Sequence, residues 1–285
     1  MNLFKFPLPN FNDKSKSTIF WRHMRFYSRK FLYYPQVKFL EKTLNMKGNE
    51  HLKNFFSNRP DACYNVTRRF CDKSFSANER VKTLIYDVNK GLESFKFLPQ
   101  DQIIFKFDED FELYLGSNRH VSEEGFWALS LRYQKRTIEQ CCFCFTLDNK
   151  LLISCIQGYQ YSDFNVLDIN KIFTKKCYGL RPIALLIECI KMLCVSLKLD
   201  ATLGVHEKNQ IRSQKGEDKG YFVDYQKIWL ENGGKLVKIN NHLYYELSHK
   251  RKNLEEIPSS KRSMYKKRFA MLEEIKQALD QSLFI

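Results

Sequence analysis

The chain has 285 residues, of which 44% are hydrophobic, and it contains 24 phenylalanines and 15 tyrosines. This composition supplies a packed core and excludes an intrinsically disordered protein. The formal net charge of +15 favours anionic partners such as a membrane surface, nucleic acid or a phosphorylated small molecule, and charge that only keeps the protein soluble is an equal alternative.

The start of the chain does not resemble a signal peptide, because Pro7 and Pro9 interrupt its apolar residues. The longest apolar stretch, residues 183–197, contains Glu188 and Lys191 and is too short and too charged to span a bilayer. These features predict a cytoplasmic protein, with a peripheral position at the inner face of the inner membrane as an alternative.

Residues 18–34 predict an amphipathic helix that ends at Pro35. Such a helix can lie on an anionic membrane or pack against the core of its own chain. We expect packing, because most amphipathic helices of globular proteins are core helices. The apolar face comprises Phe20, Met24, Tyr27 and Phe31, and the basic face comprises Arg22, Arg25 and Arg29.

Two further helices are predicted at residues 37–43 and 76–88, the latter with Asn78 as its N-cap, and residues 58–61 form a loop between them. After Pro99 the helical periodicity gives way to short runs of β-branched and aromatic residues. We therefore divide the chain into a helical region, residues 1–99, and an α/β domain with a C-terminal helix, residues 100–285.

Short runs rich in β-branched and aromatic residues follow, separated by turn signals, and they predict an antiparallel meander. A polar linker, a helix opened by Pro182, a strand, a second helix, a hairpin and a final helix complete the domain. The meander strands are residues 103–107, 112–115, 125–133, 140–147 and 151–157; the later elements are the linker 158–170, helix 182–197, strand 201–205, helix 223–232, hairpin 236–247 and helix 258–283.

A helical crossover joins the strand at residues 151–157 to the strand at residues 201–205. Strands connected in this way are expected to be parallel and adjacent. The predicted fold is therefore α+β or α/β, an antiparallel meander followed by a strand-helix-strand crossover.

The nine cysteines include no C-x-x-C pair, and the six histidines supply no pair at ligand spacing. We expect buried free thiols in a reducing compartment and no metal site.

Five groups of residues, in order along the chain, resemble signatures of the VirK/YbjX family of Gram-negative bacteria. The resemblance implies a cytoplasmic factor linked to envelope integrity, virulence and tolerance of antimicrobial peptides, and it implies no established reaction. The groups are Glu124-Gly125 with Leu129-Ser130-Leu131; Ile156-Gln157-Gly158; Gly179-Leu180-Arg181-Pro182 with Leu185-Leu186; Asp224-Tyr225 with Trp229-Leu230-Glu231-Asn232-Gly233-Gly234; and Lys261-Arg262-Ser263 with Tyr265 and Arg268.

The order of predicted elements also resembles the Gcn5-related N-acetyltransferase fold. In that superfamily the phosphates of coenzyme A lie at a turn before the crossover helix, where free amides suit them. The resemblance implies that the cofactor is an acyl thioester, carried either by coenzyme A or by acyl carrier protein. The residues assigned to its binding are Gln157, Lys175, Lys176, Gly179 and Arg181.

Two positions depart from the acetyltransferase pattern. Arg181 stands where the superfamily has a second glycine or alanine, so its side chain would either block a phosphate or grip an anion. Four residues before Gly233, where the superfamily often has an acidic tyrosine, this chain has Trp229. The alternative for the basic turn is a solvated loop that caps a packed helix.

Three residues are candidates for catalysis, with Glu124 or His206 as base and Tyr225 as partial substitute for the acidic tyrosine. His206 ends the second parallel strand, where residues that face ligands gather. Two of them have a structural alternative: Glu124 as a solvated turn carboxylate and His206 as a polar residue at the rim of the sheet. Trp229 is most simply a core anchor.

Three functions remain open from the sequence. The first is an acyltransferase-like enzyme that serves the cell envelope. The second is a non-enzymatic accessory protein that docks on an anionic membrane or an envelope-assembly partner. The third, which the basic stretches at residues 250–252 and 261–268 suggest, is a nucleic-acid binder, although no recognised nucleic-acid-binding motif accompanies them.

Overall fold

The computed structural model describes residues 3–9, 16–96, 101–118, 121–213 and 223–284. Within these ranges, helices precede a sheet of eight strands and also cover it. The helices are α1 Lys16–Leu32, α2 Tyr34–Leu44, α3 Glu50–Asn58, α4 Pro60–Cys63, α5 Ala77–Ser94, α6 Val166–Lys176, α7 Pro182–Ser196, α8 Tyr225–Glu231 and α9 Ser259–Gln281. The strands are β1 Gln102–Lys106, β2 Phe111–Ser117, β3 Trp127–Tyr133, β4 Arg136–Phe145, β5 Leu151–Gly158, β6 Thr202–Val205, β7 Gly234–Ile239 and β8 His242–Leu247.

Three local predictions for the N-terminal helices are wrong. Pro35 lies in the first turn of α2 instead of ending α1, and Pro60 opens α4 inside the predicted loop. Proline is tolerated there because the first turn of a helix has unpaired N–H groups in any case. Ser76, not Asn78, caps α5: its hydroxyl accepts the Glu79 N–H at 3.3 Å, and the Glu79 carboxylate accepts the Ser76 N–H at 2.8 Å.

The expectation that the aromatic face of α1 packs against the core is also wrong. Phe20 is 58% exposed and Phe31 is 86% exposed. The opposite face of α1 makes the contact through Phe26, whose ring lies 6.3 Å from that of Phe6 and 5.9 Å from that of Tyr64. Because Phe26 already fills this contact, the other aromatic face is left in solvent.

Helix α5 joins the N-terminal helices to the sheet. The buried Asp87 carboxylate accepts the Phe145 N–H at 2.7 Å and the Trp127 indole N–H at 2.9 Å. The indole lies against Gly91, where a Cβ atom would come within 2.1 Å of the ring. The helix therefore approaches β3 and β4 more closely than a residue with a side chain would allow.

The predicted linker at residues 158–170 contains the start of α6. The Asn165 side chain caps this helix by accepting the Leu167 N–H at 2.9 Å. Ile169 and Phe173, one turn apart, are buried and hold the helix against the core. The polar composition of residues 158–170 does not predict this helix, because only one residue in each of its turns is buried.

The sheet order is β1-β2-β3-β4-β5-β6-β8-β7, and every neighbouring pair is antiparallel except β5 and β6. The predicted meander, the parallel pair and the final hairpin are therefore confirmed, and the fold is mixed α+β. Trp229 is confirmed as a core anchor, since it is fully buried and its indole N–H donates to the Val205 carbonyl at 2.9 Å. Among the described residues, no helix is both long and apolar enough to span a membrane.

Candidate active site

The parallel strands β5 and β6 separate soon after they pair. Pairing with β6 reaches Ile153, whereas β5 continues to Gly158. Tyr225, the first residue of α8, occupies part of the gap, and its hydroxyl accepts the Ile156 N–H at 3.0 Å. The ring is 1% exposed. A buried tyrosine thus takes the place of a neighbouring strand beside this half of β5.

The gap opens into a cavity of about 770 Å³. This size is in the range of pockets that hold small molecules and cofactors. Three of the predicted site residues line the cavity: Glu124, Gln157 and Tyr225. The topology therefore brings together residues that lie up to 101 positions apart in the sequence.

Glu124 belongs to the short helical turn Ser122–Glu124 and is 2% exposed, so the solvated-turn alternative is wrong. Its carboxylate accepts the Gln210 side-chain amide at 2.9 Å and lies 3.6 Å from the Arg212 guanidinium. The next residue, Gly125, has φ +106°, and a Cβ atom there would lie 2.6 Å from the Phe143 carbonyl oxygen. Glycine is required at this position to turn Glu124 inward.

His206 does not line this cavity or the neighbouring one. Its Nδ1 accepts the Lys208 N–H at 3.2 Å and so caps the turn Glu207–Asn209, and its Nε2 lies 3.3 Å from the Glu207 carboxylate. The ring stacks on Tyr245 at a centroid distance of 5.9 Å. The structure therefore gives His206 a capping role at the end of β6, where the residue is buried.

Glu139, on β4, lines the same cavity and was missed by the sequence analysis. One carboxylate oxygen accepts the Asn170 side-chain amide at 3.2 Å, and the other has no hydrogen-bond partner among the described residues. Burial raises the pKa of Glu139 to about 7, and the Asn170 hydrogen bond only partly opposes that shift. A carboxyl group in this condition can exchange a proton near neutral pH.

A second cavity, of about 660 Å³, adjoins the first. Glu139, Leu167 and Asn170 line both cavities, so the Glu139 carboxylate lies at their junction. The first turn of α7 forms one wall of the second cavity. Its other lining residues include Lys175, Gly179 and Arg181, three of the five predicted cofactor-binding residues.

The turn between α6 and α7 is held from behind by α9. The Tyr178 carbonyl accepts two hydrogen bonds from the Arg268 guanidinium, at 2.6 and 3.1 Å. Gly179 follows with φ +78°. Arg181 directs a side chain that is 77% exposed toward the cavity mouth, 3.8 Å from Glu231. The turn is therefore a fixed support for two cations, Lys175 and Arg181.

Lys176 does not belong to this cation pair. Its ammonium group forms an ion pair with Asp108, and it does not line either cavity. Successive residues at the end of a helix point about 100° apart, so Lys175 and Lys176 cannot both face the cavity. Of the two lysines assigned to the cofactor, Lys175 lines the second cavity.

Cys155 is the thiol that lines the first cavity. Its hydrogen bond with Cys142, its cross-strand neighbour, and then its burial raise the pKa of this thiol well above the ordinary value. A protonated thiol is a weak nucleophile. All nine cysteines are free and buried, as expected from the sequence.

The sequence matches the model of a family described as protein of unknown function, DUF535, over residues 15–281. An uncharacterized protein of Haemophilus influenzae is 33% identical over 276 residues, which cover 92% of this chain and 89% of the relative. Membrane protein LapB of Mannheimia haemolytica is 33% identical over 229 residues, which cover 74% of this chain and 96% of LapB.

The uncharacterized protein YbjX of Escherichia coli K12 is 31% identical over 105 residues, which cover 36% of this chain and 32% of YbjX. No solved structure matches. The matches to LapB and YbjX confirm the VirK/YbjX resemblance found in the ordered motifs.

Proposed function

The chain belongs to the DUF535 family, and we propose that it is an acyltransferase that takes its acyl group from acyl-CoA or acyl carrier protein. The observation that carries this proposal is the position of Glu139 at the junction of two adjoining cavities. One cavity has the features of a donor site and the other can admit an acceptor. A transfer reaction needs both substrates to meet at one proton acceptor.

The second cavity suits the donor. Lys175 and Arg181 stand at its mouth, and the first turn of α7 presents backbone N–H groups beside them. Cations and a helix N-terminus together favour phosphate groups. The walls also contain apolar side chains, which suit a pantetheine arm or an acyl chain: Leu167, Ile183 and Ile228.

Glu139 is the proposed base. In its ionised form it would take a proton from an amine or hydroxyl of the acceptor, which then attacks the thioester carbonyl carbon. The new C–N or C–O bond forms as the C–S bond breaks, and the thiolate leaves. Protonated Glu139 would then return that proton to the thiolate, so the products are a thiol and the regenerated carboxylate, and protons balance over the cycle.

An envelope acceptor fits the relatives. LapB carries the name membrane protein, and an acceptor amine or hydroxyl in the cell envelope would suit a basic protein that works beside an anionic surface. We therefore extend the proposal to acyl transfer onto a component of the Gram-negative envelope.

The experiment is a calorimetric titration of the purified protein with acetyl-CoA, longer acyl-CoAs and acyl carrier protein. At least one donor should bind, and the double variant Lys175→Ala/Arg181→Ala should weaken binding at least tenfold. The matched control is Lys266→Ala/Lys267→Ala, which removes two exposed cations from α9, away from both cavities. Failure of every donor to bind, or equal binding by the cavity variant, contradicts the proposal.

A further inference from the structure

The outward face of α1 is a continuous ridge of large apolar side chains in solvent. Their positions fall within about 140° of the helix circumference at the 100° spacing of successive residues. Its members, with their exposed fractions, are Phe20 58%, Trp21 64%, Met24 49%, Tyr27 50%, Phe31 86% and Leu32 68%. Isolated exposed apolar residues are common on proteins, but a contiguous patch of this kind marks an interaction surface.

The ridge is not needed to hold α1 in place. Phe26 packs on Phe6 and Tyr64 from the opposite face, and Lys30 lies over the rings of Phe6 and Phe26 at 5.7 and 6.0 Å. Since the inner face already attaches the helix, the outer face remains for a partner.

The formal charge of α1 itself is entirely positive. From Lys16 to Leu32 the sequence has five basic residues and no acidic one. Arg22, Arg25 and Arg29 are spaced three and four residues apart, so they form a stripe along the helix beside the ridge. Partial burial first, and then Arg68 and Arg25 nearby, lower the pKa of Arg29. Cations crowded in this way favour a partner with negative charge.

We propose that α1 docks on an anionic lipid bilayer, with its aromatic ridge among the headgroups and acyl boundary and its arginines on lipid phosphates. A convex ridge that mixes Trp21, Tyr27 and Phe31 fits a fluid, amphipathic surface, where aromatic rings concentrate at the interface. A protein partner would need a groove to receive the ridge. The proposal is independent of the reaction in the cleft.

Trp21 supplies a selective reporter. The chain has three tryptophans, and the other two, Trp127 and Trp229, are fully buried. Vesicles of phosphatidylethanolamine and phosphatidylglycerol should therefore shift the emission to shorter wavelength, and brominated lipids should quench it. The Trp21→Phe variant should sediment with the vesicles but lose the shift. Vesicles of phosphatidylcholine alone should bind at least tenfold more weakly.

Two double variants separate charge from apolar contact. Arg22→Glu/Arg25→Glu and Phe20→Ser/Phe31→Ser should each weaken vesicle binding at least tenfold, with melting temperatures close to that of the native protein because the side chains are exposed. The matched controls, Lys266→Glu/Lys267→Glu on α9 and Leu230→Ser/Leu236→Ser, should bind as the native protein does.

Three results would overturn the proposal. The first is equal binding to zwitterionic and anionic vesicles. The second is vesicle binding that survives both α1 double variants. The third is absence of vesicle binding while single-stranded RNA binds through the same arginines. None of these results bears on acyl-donor binding, which is measured without lipid, so the two proposals can fail separately.

Discussion

Two buried carboxylates, Glu124 and Glu139, line the first cavity and have different surroundings. Glu124 receives a hydrogen bond from Gln210 and lies beside the cationic Arg212. Glu139 receives one hydrogen bond, from Asn170, and keeps one oxygen unpartnered within the described part of the chain. Burial with few hydrogen-bond partners raises the pKa of Glu139. Glu139 therefore suits the proton transfer of the proposed reaction better than Glu124, whose carboxylate contacts Gln210 and Arg212.

The largest pH-dependent effect on stability is expected from Glu139. The pKa rises from 4.5 to about 7 on folding, so the folded protein keeps a proton that the unfolded chain has lost. The contribution is fully present below pH 4.5 and is lost as the pH rises to about 7. It amounts to about 3 kcal/mol.

Urea unfolding of the native protein and Glu139→Gln at pH 5 and pH 8 measures this contribution. The variant should lose less stability than the native protein between the two pH values, because glutamine does not ionise. Glu274→Gln, on the exposed face of α9, is the matched control. Equal losses in the native protein and in Glu139→Gln would show that folding does not raise the pKa of Glu139.

The second effect concerns the hydrogen bond from Gln210 to Glu124. Gln210→Ala should destabilise the protein by about 2 kcal/mol, because it leaves a buried carboxylate without its amide donor. Arg212 is too exposed to compensate fully, with 60% of its side chain in solvent. Gln226→Ala, on the exposed side of α8, should change the free energy of unfolding by less than about 0.5 kcal/mol. A Gln210→Ala variant as stable as this control would show that Glu124 does not depend on Gln210.

The third prediction concerns the hydrogen bond from Asn170 to Glu139. Asn170 lowers the pKa of Glu139 through its hydrogen bond, against the larger effect of burial. Asn170→Ala should therefore move the pH-dependent loss of stability to higher pH. The measurement is the midpoint of that loss, obtained by subtracting the Glu139→Gln profile; a midpoint that moves to lower pH would contradict the assignment.

The smallest effect of losing one hydrogen bond is expected at the gap between β5 and β6. Tyr225→Phe removes the acceptor of the Ile156 N–H but keeps the ring that fills the gap. The loss should be about 1 kcal/mol in urea unfolding. Tyr225→Ala should cost several times more, about 3–5 kcal/mol, because it also leaves a cavity. Equal losses in the two variants would mean that the ring itself contributes little.

The sequence predicted the sheet better than it predicted the site. A helical crossover leaves few topologies, so the parallel pairing of β5 and β6 followed from the order of elements. The Glu139 side chain gave one signal, a single carboxylate inside the apolar strand β4. Its environment depends on Asn170, 31 residues away on a helix that was interpreted as a linker. Contacts of that kind are set by tertiary packing and are not visible in local pattern.

Helix α1 shows the same limit. Its periodicity contains two apolar faces, one around Phe26 and one through Phe20 and Phe31, and a rule that most amphipathic helices are core helices does not say which face is buried. The face with Phe26 is the one that packs, because Phe6 and Tyr64 contact it. Exposure of the second face could be learned only from those contacts.

The most direct test of the proposed reaction is the pH profile of single-turnover thiol release from the acyl donor that binds. For the native protein, the rate constant should rise with pH and level off above about 7, as Glu139 ionises. Glu139→Gln should be slower by about 10²–10⁴-fold and should lose this pH dependence. A Glu139→Gln variant that releases thiol at the native rate, with the native pH profile, would contradict the assignment of Glu139 as the base.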